Sequence, residues 1–126
     1  MERFFVIAGS LAALIAVGLG AFGAHALKSQ LAAPALATFE VGVRYQMYHA
    51  LALIAVAWVQ TQWPGALVLA AGWLFLAGIV VFSGSLYLLT LLGLTWLGAV
   101  TPLGGAAMIA GWACLAAGVW RGAAGT

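Results

Sequence analysis

No Asp, Glu, Lys or Arg occurs between Phe4 and Leu27, and none occurs between Tyr45 and Trp120. A membrane-spanning helix needs about 20 mostly apolar residues. The first charge-free interval fits one such helix. The second is far too long for one and must fold back on itself. The whole chain of 126 residues carries six formal charges, Glu2, Arg3, Lys28, Glu40, Arg44 and Arg121, where a soluble domain devotes roughly a quarter of its residues to charge. That excludes an ordinary soluble domain, a disordered chain and a nucleic-acid binder. Four spans of about 20 residues leave roughly 46 for tails and loops. A fifth does not fit, and three would leave long apolar loops in water. The apolar runs are unbroken and rich in Ala and Leu, which argues against a membrane barrel of alternating strands. The expected fold is all-α, an integral membrane four-helix transmembrane bundle forming one domain over residues 1–126, with the lipid bilayer as its first partner.

Proline marks helix starts, because the first turn has no use for the missing N–H. Pro34 is expected to open a second helix and Pro64, after Gln60-Thr61-Gln62, a third. Thr101-Pro102 reads as a hydroxyl N-cap followed by a first-turn proline. These marks place helices near 2–28, 34–60, 64–92 and 102–121. Residues 93–100 are apolar and read as a short interfacial helix or a packed loop. Arg3, the following apolar run and Ala24-His25-Ala26 mimic a secretory signal with its cleavage site. The run is long for a signal, and it is read as the first transmembrane helix.

Small residues recur at packing intervals: Ala8, Ala12, Ala16, Gly20 and Ala24 on the first helix, Ala70, Ala77 and Gly84 on the third, and Gly104, Ala107, Gly111, Cys114 and Gly118 on the fourth. In lipid, close backbone approach holds helices together, and small side chains permit it. Bundle packing explains these ladders, and a homo-oligomer remains open through one of them. Trp58, Trp63, Trp96 and Trp120 fall near helix ends as an interfacial belt, while Trp73 and Trp112 fall inside helices and are expected to pack. Cys114, the single cysteine, reads as a small packing residue.

With four crossings both termini share one side, here called side A. Nearly all the chemistry then falls in the half toward the opposite side, side B. His25 and Lys28 end the first helix there. Glu40, Arg44, Tyr45, Gln46, Tyr48 and His49 lie in the first half of the second. Ser83, Ser85 and Tyr87 lie in the second half of the third, and Thr101 opens the fourth. On the second helix these polar residues sweep roughly two-thirds of the wheel at about 100° per residue. Leu36, Phe39, Val43, Met47, Ala50 and Ile54 occupy the remaining arc, which is expected to face lipid. Glu40 and Arg44 stand at i,i+4 with the acid first, the better order for an ion pair. Arg3 and Arg121 on side A balance Lys28 and Arg44 on side B, so charge does not set the orientation.

The segment Gly20-Ala21-Phe22-Gly23-Ala24-His25-Ala26-Leu27-Lys28 resembles one motif of a family of small bacterial inner-membrane proteins, the YgdD-like proteins (domain of unknown function 423). Arg44-Tyr45-Gln46-Met47-Tyr48-His49-Ala50, Phe82-Ser83-Gly84-Ser85-Leu86-Tyr87, and Thr101-Pro102-Leu103-Gly104-Gly105 with Gly111-Trp112 resemble three more, in order along essentially the whole chain. The resemblance implies a four-helix multi-pass protein of the bacterial cytoplasmic (inner) membrane. It implies no reaction, substrate or cofactor.

Two functional classes fit these residues. In the first, the polar residues form a structural hydrogen-bond network, and the protein is a scaffold or partner of other membrane proteins. In the second, a pocket open toward side B binds a lipid head group or small anion, with transport as a variant. Its candidate residues are His25, Lys28, Glu40, Arg44, Tyr45, Gln46, His49, Ser83, Ser85 and Tyr87. His49 is the natural proton carrier among them, but no inverted pair of broken helices points to a transporter. His25 and His49 could in principle ligate haem, yet two histidines without a carboxylate cluster specify no metal or cofactor, and none is expected. No enzyme is expected either, because Phe82-Ser83-Gly84-Ser85-Leu86 lacks the flanking glycines of a nucleophile elbow. Under the network reading an Arg44→Ala change lowers thermal stability. Under the pocket reading it removes a bound lipid or acid and leaves the fold intact.

Overall fold

The computed structural model describes residues 1–124, and among these the chain is helical with no strand. The first helix, α1, runs Glu2–His25, and α2 runs Ala33–Gln62. A third rod is built from α3, Ala66–Gly78, a π-helical turn, Ile79–Ser83, and α4, Gly84–Leu92. Gly93 ends it in the left-handed region at φ 69°, a conformation that glycine adopts without a Cβ penalty. A short 3₁₀ turn, Thr95–Ala99, leads into α5, Thr101–Ala124. Three segments are long and apolar enough to cross a membrane: Glu2–His25, Ala66–Leu92 and Thr95–Gly122.

The helices occupy the intervals marked by sequence, with differences at their ends. Helix α1 stops at His25 and not near Lys28, because Leu27 tucks into the protein while its N–H reaches back to the Phe22 carbonyl. Pro34 lies in the first turn of α2. Pro64 does not open α3; it sits in the Trp63–Gly65 link, and Gly65 is the N-cap. Thr101 is not an N-cap. It is the first residue of α5, and its hydroxyl donates back to the Leu97 carbonyl at 3.1 Å. The apolar stretch 93–100 forms the 3₁₀ turn, with Leu97 buried.

Helix α2 and the α3–α4 rod are the inner pair. Helix α1 packs along α2, and α5 packs along α3 and the π turn. The α1–α2 contact corrects the expectation for the second helix. The arc of Phe39, Val43, Ala50 and Ile54 does not face lipid but meets α1. Phe39 and Ala50 are fully buried, and the ring of Phe39 lies against Gly23, Val43 against Gly20, and Ala50 and Ile54 against Gly9. A Cβ on Gly9 would stand 2.6 Å from the Ala50 carbonyl oxygen, so a side chain there separates the helices. The seam of α1 is therefore Phe5, Gly9, Ala12, Ala16 and Gly23, only partly the ladder marked by four-residue spacing. Glu40, Arg44 and Tyr48 point outward instead.

The α5 ladder fares differently. Gly104, Gly111 and Gly118, spaced by seven, receive Phe82, Phe75 and Val68 of the third rod. The Ala70–Ala77–Gly84 heptad makes no comparable seam: Ala77 is exposed and Gly84 has open space where a Cβ would stand. Gly72 and Gly78 carry the contacts, against Phe5 and Met108. Cys114 is half-buried beside the core. Trp73 packs at a tilt against Phe4 and edge-on against Phe5, and Trp112 packs at a tilt against Phe75.

The π turn is the one irregularity in the third rod. The Gly84 N–H bonds to the Ile79 carbonyl, five residues back. Such a turn inserts an extra residue into the helix and shifts the register of the turns after it. Gly104 of α5 closes on it so tightly that a Cβ there would overlap the Phe82 backbone nitrogen and Cα. We predict that Gly104→Val destabilises the protein by about 1–3 kcal/mol, the usual cost of overpacking, while Gly84→Ala leaves stability within experimental error. Thermal unfolding in one detergent, followed by circular dichroism, compares the two.

Candidate functional site

Gln46 lies at the centre of the polar residues. It is 4% exposed. Its Nε2 donates to the Ala12 carbonyl of α1 at 2.8 Å, and its Oε1 accepts from the Tyr87 hydroxyl of α4 at 2.6 Å. A carbonyl can only accept, so the amide orientation is determined by its partners. One side chain on α2 thus ties the helices on both of its flanks. The Tyr87 ring packs on Phe39, 5.2 Å between centroids, and against Gly42, where a Cβ would meet it at 2.9 Å.

Ser83, the last residue of the π turn, is fully buried and donates to the Gly42 carbonyl of α2 at 2.6 Å. The Ser85 hydroxyl donates to the Thr101 hydroxyl of α5 at 2.5 Å, since the Thr101 proton goes to the Leu97 carbonyl, and it also lies 2.8 Å from the Phe82 carbonyl. Thr90 turns back to the Leu86 carbonyl at 2.8 Å.

His49 sits seven residues beyond Gly42 on α2, about 10 Å further along the helix. Its Nδ1 is 2.7 Å from the Tyr45 carbonyl, and its Nε2 is 3.1 Å from the indole nitrogen of Trp112 on α5. The carbonyl only accepts and the indole N–H only donates. The ring is therefore the neutral tautomer with its proton on Nδ1, and its Nε2 lone pair is occupied. His49 has no nitrogen left for a metal or haem iron. His25 is exposed at the end of α1, near the level of Phe39, which is ten residues or about 15 Å along α2 from His49. The structure does not bring the two histidines together. Among the described residues no three of His, Cys, Asp and Glu cluster as metal ligands.

The ten candidate residues thus divide. Gln46 and Tyr87 bond each other, while Ser83, Ser85 and His49 make separate bonds between helices, with Tyr45 beside His49. The Tyr45 ring lies 5.0 Å from Phe82 and stacks over His49. Tyr45, His49, Phe82, Met108 and Trp112 line a shallow cavity of about 260 Å³ between α2 and α5. His25, Lys28, Glu40 and Arg44 stand outside on the surface. The ion pair expected between Glu40 and Arg44 is not formed: among the described residues the one cation–carboxylate contact within 4 Å joins the Met1 amino group to Glu2. Sequence reasoning assigned Trp112 to packing alone and Thr101 to a cap, and so missed both as hydrogen-bond partners. An indole in an apolar helix is itself a signal, because a buried N–H needs an acceptor.

The model of a protein family described as "Protein of unknown function (DUF423)" matches residues 19–105. The chain belongs to the DUF423 family. Bacillus subtilis has a relative named UPF0382 membrane protein YwdK, 50% identical over 111 residues, covering 87% of this chain and 90% of the relative. UPF0382 membrane proteins of Staphylococcus saprophyticus and Staphylococcus haemolyticus are 44% and 46% identical, covering 94% and 90% of this chain and 98% and 92% of theirs. No solved structure matches. Like these relatives, this DUF423 chain is a membrane protein of uncharacterised function. Its matched segment begins at the Gly20 motif and ends just after Thr101-Pro102, so it encloses every hydrogen bond given above for Gln46, Ser83 and Ser85 except the one to Ala12.

Bonds between transmembrane helices average about 0.6 kcal/mol and reach about 1.7. In a double-mutant cycle of Gln46→Leu with Tyr87→Phe, a coupling energy of about 0.6–1.7 kcal/mol is expected, read from unfolding in a fixed detergent. Additive effects of the two changes would show that the bond contributes nothing.

Proposed function

We propose that the chain crosses the bilayer four times and that its interior polar residues are structural ties, leaving it to act as a scaffold that presents helix surfaces to other membrane components. The observation that carries this reading is saturation. Among the described residues, no buried side-chain nitrogen or oxygen lacks a hydrogen-bond partner. The bonds run from α2 to α1, from α2 to the π turn and α4, from α4 to α5, and from α2 to α5. A ligand pocket needs polar groups aimed at empty space, whereas here they are aimed at each other.

Packing supports the fourth crossing. Helix α2 carries Glu40 and Arg44 and is less apolar than its neighbours. It lies antiparallel to α1, from Phe39 beside Gly23 to Ala50 beside Gly9. A helix that accompanies a spanning helix over that length spans the same slab, and its charge-free part, 45–62, is about 27 Å long. Four crossings put Glu2, Gln62 and Arg121 on one side and Ser29 and Thr95 on the other. A bacterial cytoplasmic membrane is the setting, as the relatives' organisms suggest.

Single-cysteine variants in a Cys114→Ser background test the threading. Glu2→Cys and Thr61→Cys are expected to react with an impermeant maleimide from one face of sealed vesicles, and Ser29→Cys and Thr95→Cys from the other. Labelling of positions 29 and 61 from the same face would sink the four-span reading. For the scaffold reading, Trp112→Phe is expected to lower the unfolding temperature without the loss of any bound small molecule in native mass spectrometry. A stoichiometric interior ligand released by that change would overturn it.

A further inference from the structure

The interior polar set is satisfied, but Glu40 and Arg44 are not. They stand on consecutive turns of α2, both exposed, with no ion pair between them. Together with Gly20, Phe39 and Val43 they line a surface niche of about 290 Å³ between α1 and α2. Gly20 contributes no side chain to this niche, and a Cβ there would stand in ordinary contact with Val43 at 3.4 Å.

Depth decides what can satisfy the two charges. The α1–α2 pairing sets Gly23 beside Phe39 and Gly9 beside Ala50, so Arg44 lies level with about residue 18 of α1, within its apolar run. Arg44 is therefore on the order of 10 Å inside the level of His25. A bare arginine at a helix centre costs about 2.5–3.5 kcal/mol, and at this depth its side chain reaches the headgroup layer by snorkelling outward. Glu40 is one turn nearer the side B surface, about 6 Å further out. The order along the membrane normal is thus cation inside, anion outside. A zwitterionic phospholipid has the complementary order, with its phosphate next to the glycerol and its ammonium outward toward water. Below Arg44, Leu51 continues the same face of α2 seven residues on, and Val17 lies one turn from Gly20 on α1; both are well exposed. They offer an apolar track for an acyl chain.

We propose that the Glu40–Arg44 niche binds a phospholipid with a phosphoethanolamine head group. Arg44 donates N–H bonds to the phosphate oxygens, and the Glu40 carboxylate accepts from the primary ammonium. A choline head group has no N–H to donate, and a glycerol head group leaves Glu40 without a cationic partner. The lipid, and not a free phosphoethanolamine compound, is the occupant because the walls below the charges are apolar and open to the bilayer. This inference rests on the four-span reading, which fixes the depth of the niche.

Delipidated protein is titrated in detergent with phosphatidylethanolamine, phosphatidylcholine and phosphatidylglycerol of identical acyl chains, and bound lipid is counted by native mass spectrometry. Wild type is expected to favour phosphatidylethanolamine about three- to tenfold over each of the others, the range of one exposed charge-assisted bond. Glu40→Gln is expected to erase that preference while phosphatidylglycerol binding persists. Arg44→Gln is expected to weaken all three lipids. Gly20→Leu, which fills the niche and removes no charge, is expected to lower phosphatidylethanolamine binding, and Lys28→Gln to leave it unchanged. Equal binding of the three lipids by wild type, or a preference untouched by Glu40→Gln, overturns the proposal. Equally effective competition by glycerophosphoethanolamine overturns the lipid as occupant. The same preparations are labelled at Ser29→Cys and Thr61→Cys in vesicles. Opposite-face labelling with no lipid preference refutes this inference alone, and same-face labelling refutes the threading beneath it.

Discussion

Inside a bilayer two apolar helices gain nothing by hiding from water, because lipid tails already exclude it. What holds them is close approach, and close approach needs backbones without bulky side chains between them. Both flanking helices of this protein meet that constraint with glycine. Gly9 and Gly23 seat α1 on Ala50 and Phe39, and Gly104, Gly111 and Gly118 seat α5 on Phe82, Phe75 and Val68. Each glycine faces a larger group across the seam, so the contact is a row of knobs set into gaps.

Hydrogen bonds then fix which knob enters which gap. A glycine seam alone tolerates sliding by one turn, since one small residue resembles another. Gln46 does not tolerate it, because its amide must meet a carbonyl of α1 and a hydroxyl of α4 at once. Ser83 and the His49–Trp112 pair add the same demand on other interfaces. At about 0.6 kcal/mol each, such bonds contribute modestly to stability. Their larger effect is to make one register cheaper than its neighbours, and an unpaired amide in the membrane interior more costly than a paired one.

The π turn links the two devices. The extra residue in Ile79–Ser83 turns Ser83 toward the Gly42 carbonyl and lets Gly104 approach the Phe82 backbone. Ser85 is then left free to reach Thr101 on α5. The charges lie outside this interior, with Glu40 and Arg44 on the exposed face of α2.

Membrane class, the all-helical fold and the approximate intervals of its helices were legible in the order of residues alone. Each depends on local composition: charge-free length, unbroken apolar runs and proline position. The α5 seam was legible too, because a glycine heptad points one way whatever it meets. Which face of α2 met another helix was decided only by tertiary packing. Phe39, Val43, Ala50 and Ile54 are as suited to lipid as to protein, and hydropathy cannot separate the two environments. The same holds for the split of the candidate site into a satisfied interior and an unpaired surface pair. Gln46 and Arg44 are two residues apart in sequence, yet about 200° of helical rotation places one against α1 and α4 and the other at the bilayer.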